Sequence, residues 1–207
     1  MKLQKKDFIE IDFTGKTTEG EIFDSNIKEN LEKLNSKIPP KPFVFALGED
    51  MFLKGIDEFL IGKDLGKYKI ELTPEKAFGK RDPKLIQLIP ERVFRENKLN
   101  PIQGATFNFD NRIAKILSVS GGRIRVDFNN PLAGRDVIYD IEVKKKVQDI
   151  NEKTKALIDF FFRQDLKFEI KEKQLTIESK KEMKQFIEMF KDKFKELLDL
   201  ELEVKDE

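Results

Sequence analysis

Carboxylates, lysines, hydroxyls and two tyrosines are the side chains on which this chain can build chemistry, because its 207 residues include no cysteine, histidine or tryptophan. The missing cysteine excludes a disulfide framework, a thiolate nucleophile, an Fe–S cluster and a Cys-ligated zinc. The missing histidine removes the commonest general base and the commonest metal ligand. Gly15-Lys16-Thr17-Thr18 has the ending of a phosphate-binding loop. That loop requires a glycine five residues before Gly15, where this chain has Glu10, so the segment is expected to be a turn. Gly62-Lys63 fails in the same way, and no run of carboxylates has calcium-loop spacing. No metal, nucleotide or other cofactor is expected. What remains is carboxylate, lysine, tyrosine, hydroxyl or backbone chemistry, or a reaction that moves no proton.

The elements that would position such chemistry begin with a strand. Ile9, Ile11 and Phe13 alternate with Glu10, Asp12 and Thr14. Thr18-Glu19-Gly20-Glu21 reads as a hairpin turn into Ile22-Phe23-Asp24-Ser25. A polar excursion over 26–42 carries a short helix around Lys28–Leu34. Phe43–Gly48 is a further strand, and Phe52, Leu53, Ile56, Phe59 and Leu60 have helical spacing before Gly62. Tyr68, Ile70 and Leu72 alternate up to the break at Thr73-Pro74. From about Arg81 to Asn129 the texture becomes that of a small β module, with strand-like runs around 105–109, 113–119 and 123–128 and a turn at Gly121-Gly122. Val137, Tyr139, Ile141 and Val143 form a closing strand.

Residues 151–207 read as helix, two strands, helix and strand. Asn151 is expected to cap the first helix. Ser179 with Glu182 forms a capping box for the second, whose stripe runs from Met183 through Phe186, Ile187, Phe190 and Phe194 to Leu198. Phe160, Phe161 and Phe162 cannot all face one side of a helix. A homodimer is the simplest cover for the exposed ring, the alternative being a monomer with domain–domain packing.

Charge and hydropathy exclude other classes. Lys and Arg number 40 against 39 Asp and Glu, and a net charge of +1 gives no reason to seek nucleic acid or an anionic membrane. No apolar run approaches the roughly 20 residues of a membrane span. The opening MKLQKKDFIEID has no apolar stretch after its lysines, so a cytoplasmic protein is the expectation.

Five landmarks occur in order: Asp12-Phe13-Thr14-Gly15, Gly20–Ser25, Pro42–Gly48, Phe52-Leu53-Lys54-Gly55-Ile56-Asp57 and Leu72–Gly79. In this order and spacing they resemble the FKBP-type peptidyl-prolyl cis/trans isomerases. Asp127-Phe128-Asn129-Asn130-Pro131-Leu132-Ala133-Gly134 is similar to the Asn-His-Pro-Leu-Ala-Gly signature of the SlyD-like branch, whose isomerase domain is interrupted by an insert-in-flap chaperone domain. The resemblance covers roughly residues 1–150, and residues 151–207 resemble, less specifically, the extra domain of long archaeal members.

The resemblance implies an α+β fold in which an antiparallel sheet wraps a short helix. The isomerase domain would be 1–84 with 129–150, the β-rich insert 85–128, and 151–207 a C-terminal α-β-β-α-β domain. It implies catalytic residues Phe13, Asp24, Phe43, Leu53, Phe78 and Tyr139, with Phe23, Phe52, Ile56, Leu132 and Ala133 completing the pocket. Leu53 would offer its backbone N–H to a substrate carbonyl, and Asp24 would orient ligand or polarise the rotating carbonyl region. The metal-binding His/Cys-rich tail of many bacterial members is absent. Phe13 and Phe78 stand where relatives often have Tyr, Ile56 where many have Trp, and Asn130 where the signature has His, so the pocket is more apolar and less directional.

The partners implied are proline-containing peptides and unfolded proteins. Within the insert, Ile86, Leu88, Ile89, Phe94, Phe107 and Phe109 are the expected client-binding surface, since a module of about fifty residues buries its surface inefficiently. Two rivals are a holdase with little isomerase activity and a ribosome-docking folding factor. The latter needs a basic loop signature that the chain does not show.

Overall fold

The computed structural model describes residues 2–109 and 112–206. By their contacts these divide into two compact units, Met1–Glu71 with Val137–Glu207, and Leu72–Asp136. In chain order the elements are β1 (Phe8–Thr17), β2 (Ile22–Ser25), α1 (Lys28–Lys33), β3 (Phe43–Ala46), α2 (Lys54–Leu60) and β4 (Gly66–Leu72). Next come β5 (Ile86–Pro90), α3 (Glu91–Glu96), β6 (Thr106–Phe109), β7 (Arg112–Ser120) and β8 (Arg123–Asp127). The chain closes with β9 (Val137–Lys146), α4 (Ile150–Phe162), β10 (Phe168–Lys171), β11 (Gln174–Ser179), α5 (Lys181–Glu188), α6 (Lys191–Leu198) and β12 (Glu201–Asp206).

In the first unit β1 is the strand on which the others assemble. It pairs antiparallel with β9 along one edge and with β2 and β3 along the other, and β4 flanks β9. The alternation read from the sequence is observed, with Ile9, Ile11 and Phe13 buried on β1 and Val137, Tyr139, Ile141 and Val143 buried on β9. The expectation of a turn at Gly15–Thr18 is corrected. β9 supplies partners as far as Thr17, which pairs with Val137, so Gly15-Lys16-Thr17 stays in the strand. The reversal follows, where the Gly20 N–H donates to the Thr17 carbonyl (2.9 Å) with Gly20 at φ +89°, a conformation glycine adopts without penalty.

The C-terminal segment belongs to the same unit and forms a three-stranded sheet, β10-β11-β12, with β11 and β12 parallel. Parallel neighbours need a crossover, which α5 and α6 provide. The single helix expected here is broken at Met189–Phe190, and the break turns Phe190 inward to lie 4.5 Å from Phe161 and 5.4 Å from Phe162, ring centre to ring centre. Both expected caps are corrected. α4 begins after Asp149, whose carboxylate accepts from the Glu152 N–H (2.8 Å) in place of Asn151. Lys180 holds the N-cap position of α5, because Ser179 remains in the ladder opposite Asp206.

Phe162 is buried, Phe161 packs on Phe190, and Phe160 meets the edge of Phe161 at 5.3 Å. Phe162 is thus buried within the chain, while Phe160 and Phe161 are half-buried. α4 itself lies against β3 and α6.

The second unit contains an antiparallel sheet, β5-β8-β7-β6, with α3 packed over it. Its core is Phe94, Ala114, Ile116, Ile124 and Val126. Phe94 is fully buried and meets Phe107 and Phe109 edge to face, which corrects its expected place on a client-binding surface. Ile89, Phe107 and Phe109 are partly buried against that core. The core-facing side of so small a sheet needs every large ring available to it. Leu88 remains outside at 60% exposure, joined by Ile102, Ile113 and Val119.

The Asn129–Gly134 loop belongs to this unit and is anchored by Asn129. Its amide accepts from the Asp82 N–H (2.8 Å) and donates to the Asp82 carbonyl (3.0 Å) and to Asp127 (2.7 Å). Asp127 is also paired with Arg81. The Gly134 N–H donates to the Gly79 carbonyl (2.8 Å), tying the end of the loop beside Phe78.

Candidate active site

The candidate site of the first unit is an aromatic cluster on the face of β1 and β9. Phe13 lies 5.5 Å from Phe43, 5.1 Å from Phe52 and 6.2 Å from Tyr139, measured between ring centres. Tyr139 meets Phe23 edge-on at 5.8 Å and stands nearly perpendicular to Phe52 at 5.6 Å. Such edge-to-face packing is the favoured geometry for aromatic pairs. Ile56, one turn into α2, is fully buried. The structure thus brings together Phe13, Phe23, Phe43, Phe52 and Tyr139 of the predicted set.

Phe78, Leu132 and Ala133 lie in the other unit, Leu72–Asp136. Ala133 is buried and Leu132 half-buried there. Leu132 donates its N–H to the Asn130 side-chain oxygen (2.9 Å), so the residue replacing the signature histidine shapes a turn.

Two glycine and amide positions escaped the sequence reading of this site. Gly15 pairs with Asp24 on one side and Tyr139 on the other. A Cβ at Gly15 would come within 2.8 Å of the Phe23 ring and 2.9 Å of the Tyr139 ring. The two rings therefore close over β1 only because position 15 has no side chain. Asn26 is the second. Its amide oxygen accepts from the Phe13 N–H (2.7 Å), and its nitrogen donates to the carbonyls of Ile11 (2.9 Å) and Lys41 (3.4 Å). Ser25 adds a bond to the Phe13 carbonyl (2.8 Å), so β1, β2 and the approach to β3 are locked around the cluster. A polar Ser-Asn pair directly after a strand was the available signal. Phe45, fully buried and stacked 5.4 Å from Phe43, backs the cluster and was read only as a strand residue.

The polar groups are few. Asp24 sits in β2, half-buried, and burial raises its carboxyl pKa while the Ser25 N–H opposes the shift. The Tyr139 hydroxyl is pushed well above its ordinary range by burial first and by the Asp24 charge second, so it stays protonated as a donor. Leu53 is the N-cap residue of α2, and the N–H of such a residue lies outside the helix's own ladder. The arrangement is an aromatic socket with one carboxylate, Asp24, acting on one hydroxyl, that of Tyr139. Among the described residues no cluster of three or more Asp or Glu could hold a metal ion, and no helix is long and apolar enough to cross a membrane.

Asp57 is buried on α2, 4% exposed, with no well-formed hydrogen bond to either carboxylate oxygen among the described residues. Burial raises its pKa to about 6, the Gly48 N–H opposes this, and the Asp50 and Glu49 charges add to it.

Comparison with known proteins adds the following. Residues 87–132 match the family described as FKBP26, IF domain. The short-type peptidyl-prolyl cis-trans isomerase of Methanocaldococcus jannaschii is 30% identical over 146 residues, spanning 69% of this chain and 92% of that protein. The FKBP-type 16 kDa peptidyl-prolyl cis-trans isomerase of Escherichia coli is 38% identical over 109 residues, 50% of this chain and 72% of its own. The FKBP-type isomerase SlyD of Aeromonas hydrophila is 26% identical over 149 residues, 70% of this chain and 64% of its own.

Two outcomes follow from the geometry. Gly15→Ala is expected to cost about 1–3 kcal/mol of stability by overpacking and to lower prolyl-peptide turnover more than its melting shift explains, as read by denaturant titration alongside an isomerase assay. Asp57 binds its proton more tightly folded than unfolded, so its stabilising contribution is complete below about pH 4 and is lost as pH rises through about 6, on the order of 3 kcal/mol in all. Asp57→Asn should flatten that slope in stability measured against pH; an unchanged slope would assign it to other groups.

Proposed function

Since the chain belongs to the FKBP-type peptidyl-prolyl cis/trans isomerases, in the SlyD-like branch that carries an insert-in-flap domain, we propose that its aromatic socket is the isomerase site and that its insert binds unfolded chains. Its enzymatic activity is that of the family, interconversion of the cis and trans forms of X–Pro bonds. Proline-containing peptides and proteins are its substrates.

Amide resonance sets a barrier of about 18–20 kcal/mol, so the uncatalysed turn takes tens to hundreds of seconds. No bond breaks and no proton is transferred overall. The twisted transition state loses the charge separation of the planar amide, so an apolar enclosure favours it over the ground state. Each 1.36 kcal/mol of that preference is about tenfold in rate. The observation that carries the reading is the ring cluster of Phe13, Phe23, Phe43, Phe52 and Tyr139 closed over Gly15. In this scheme the rings and Ile56 hold the proline ring, the Leu53 N–H meets a substrate carbonyl, and Asp24 acts on the rotating carbonyl. Phe78, Leu132 and Ala133 rest on the family resemblance alone.

We assign the isomerase domain to 1–84 with 129–150, the client-binding insert to 85–128 and the extra domain to 151–207. The exposed apolar side chains Leu88, Ile102, Ile113 and Val119 support client binding by the insert. Tethered to the same chain as the socket, they raise the local concentration of unfolded substrate. For the C-terminal domain a homodimer is supported by Phe186 and Met189, both exposed beside the α5–α6 break.

A protease-coupled tetrapeptide assay should show turnover, which a pure holdase would lack. Replacing Leu88 and Ile113 by Ser should slow catalysis of proline-limited refolding while leaving the tetrapeptide rate unchanged; equal losses on both would refute the division of labour. Light scattering at micromolar concentration should give twice the chain mass, and a monomer there removes the dimer.

A further inference from the structure

We propose that helix α4, outside the segment that carries the family resemblance, forms the second wall of the substrate groove and selects a large apolar residue next to the proline. The inference rests on the isomerase reading of the aromatic socket.

A cleft of 1050 Å³ opens between β3 with the Lys41-Pro42 approach on one side and α4 on the other. Phe43 and Phe52 belong both to this cleft and to the ring cluster, and Asp24 stands at the same junction, so cleft and socket are continuous. From α4 it receives Ala156 and Phe160 together with the charged Glu152, Lys155 and Asp159. Its size matches the upper end of small-ligand pockets, roughly 1,000 Å³, and so holds more than one proline ring. A polypeptide whose proline enters the socket must continue on both sides of it. An apolar trough that opens from the socket wall is where that continuation can bury a side chain.

The wall is held in place rather than resting by chance. Lys41 pairs with Asp159 of α4 at 3.0 Å, and Lys145 of β9 pairs with Glu152 at 2.9 Å. The Lys41 carbonyl accepts from Asn26, the residue that also fixes Phe13. α4 also packs directly against β3, the strand that carries Phe43. Phe160 has no role in closing the aromatic core formed by Phe162, Phe186, Phe190 and Phe194; its ring is half-buried, touches Phe161 and lines the cleft. Charged side chains of both signs border the trough, among them Lys41, Lys155, Glu152 and Asp159, while Pro42, Phe43, Phe52, Ala156 and Phe160 give it an apolar lining.

The test uses the full chain and tetrapeptides with Ala, Leu or Phe on either side of proline. The wild type should favour Leu or Phe at one flanking position by about fivefold in kcat/KM, expressed in KM, as expected for burying a side chain in an apolar site. Phe160→Ala should erase that preference and leave the all-Ala peptide unchanged, whereas Phe160→Leu should retain it. In a titration of the wild type with the Leu peptide, the amide NMR signals of Ala156, Asp159 and Phe160 should shift in step with Phe43. An intact preference in Phe160→Ala, or shifts at Phe43 with none on α4, overturns the proposal. Absence of turnover on every peptide by the wild type would instead strike the isomerase reading, and the titration would still report on α4.

Discussion

The site depends on the close approach of two rings to one strand. Phe23 on β2 and Tyr139 on β9 converge over Gly15, and no other residue type leaves room for both. β1 must therefore be an interior strand with neighbours on both edges, and its pairings with β2, β3 and β9 meet that requirement. The hydrogen bonds of Asn26 and Ser25 to the backbone of Phe13 then fix how far β2 can slide. A one-residue slip would turn every side chain of the strand to the opposite face and dismantle the cluster.

Catalysis in such a place asks little of functional groups. The reaction needs an enclosure less polar than water and a few donors aimed at a carbonyl, and this chain has neither histidine nor cysteine to offer more. Tyr139 keeps its proton, and burial raises the pKa of Asp24, whose charge in turn helps hold the Tyr139 proton. The substitution of Phe at position 13 continues this direction. Asp57 runs against it as a buried carboxylate on α2, an expense in stability that the helix carries at neutral pH.

Much of the architecture was legible residue by residue. Period-two alternation identified β1, β4 and β9, and the Asn129–Gly134 loop and the five aromatic and glycine landmarks pointed to the family. The roles of individual apolar residues were less accessible. Phe94 and Leu88 look equally suited to a client surface in sequence, yet one is the centre of the insert's core and the other is exposed. Gly15 reads as a turn residue because glycine commonly is one, whereas here it answers a contact between residues far apart in the chain. The C-terminal stripe predicts one helix, but the structure has two, with Phe190 at the break packed against Phe161 and Phe162 of α4.

By itself the sequence determined which chemistries are absent, where strands and helices begin within a few residues, and which family the chain resembles. These follow from residue type and local periodicity, which are properties of short windows. Tertiary structure alone decided which rings meet over Gly15, which apolar side chains stay in water, and that α4 stands beside Phe43 and Phe52 to shape a cleft. Those outcomes depend on competition for a limited interior among residues distant in the chain, and no local pattern records the winner. The absence of histidine and cysteine was legible from the first reading, whereas the aromatic packing around Gly15 was not.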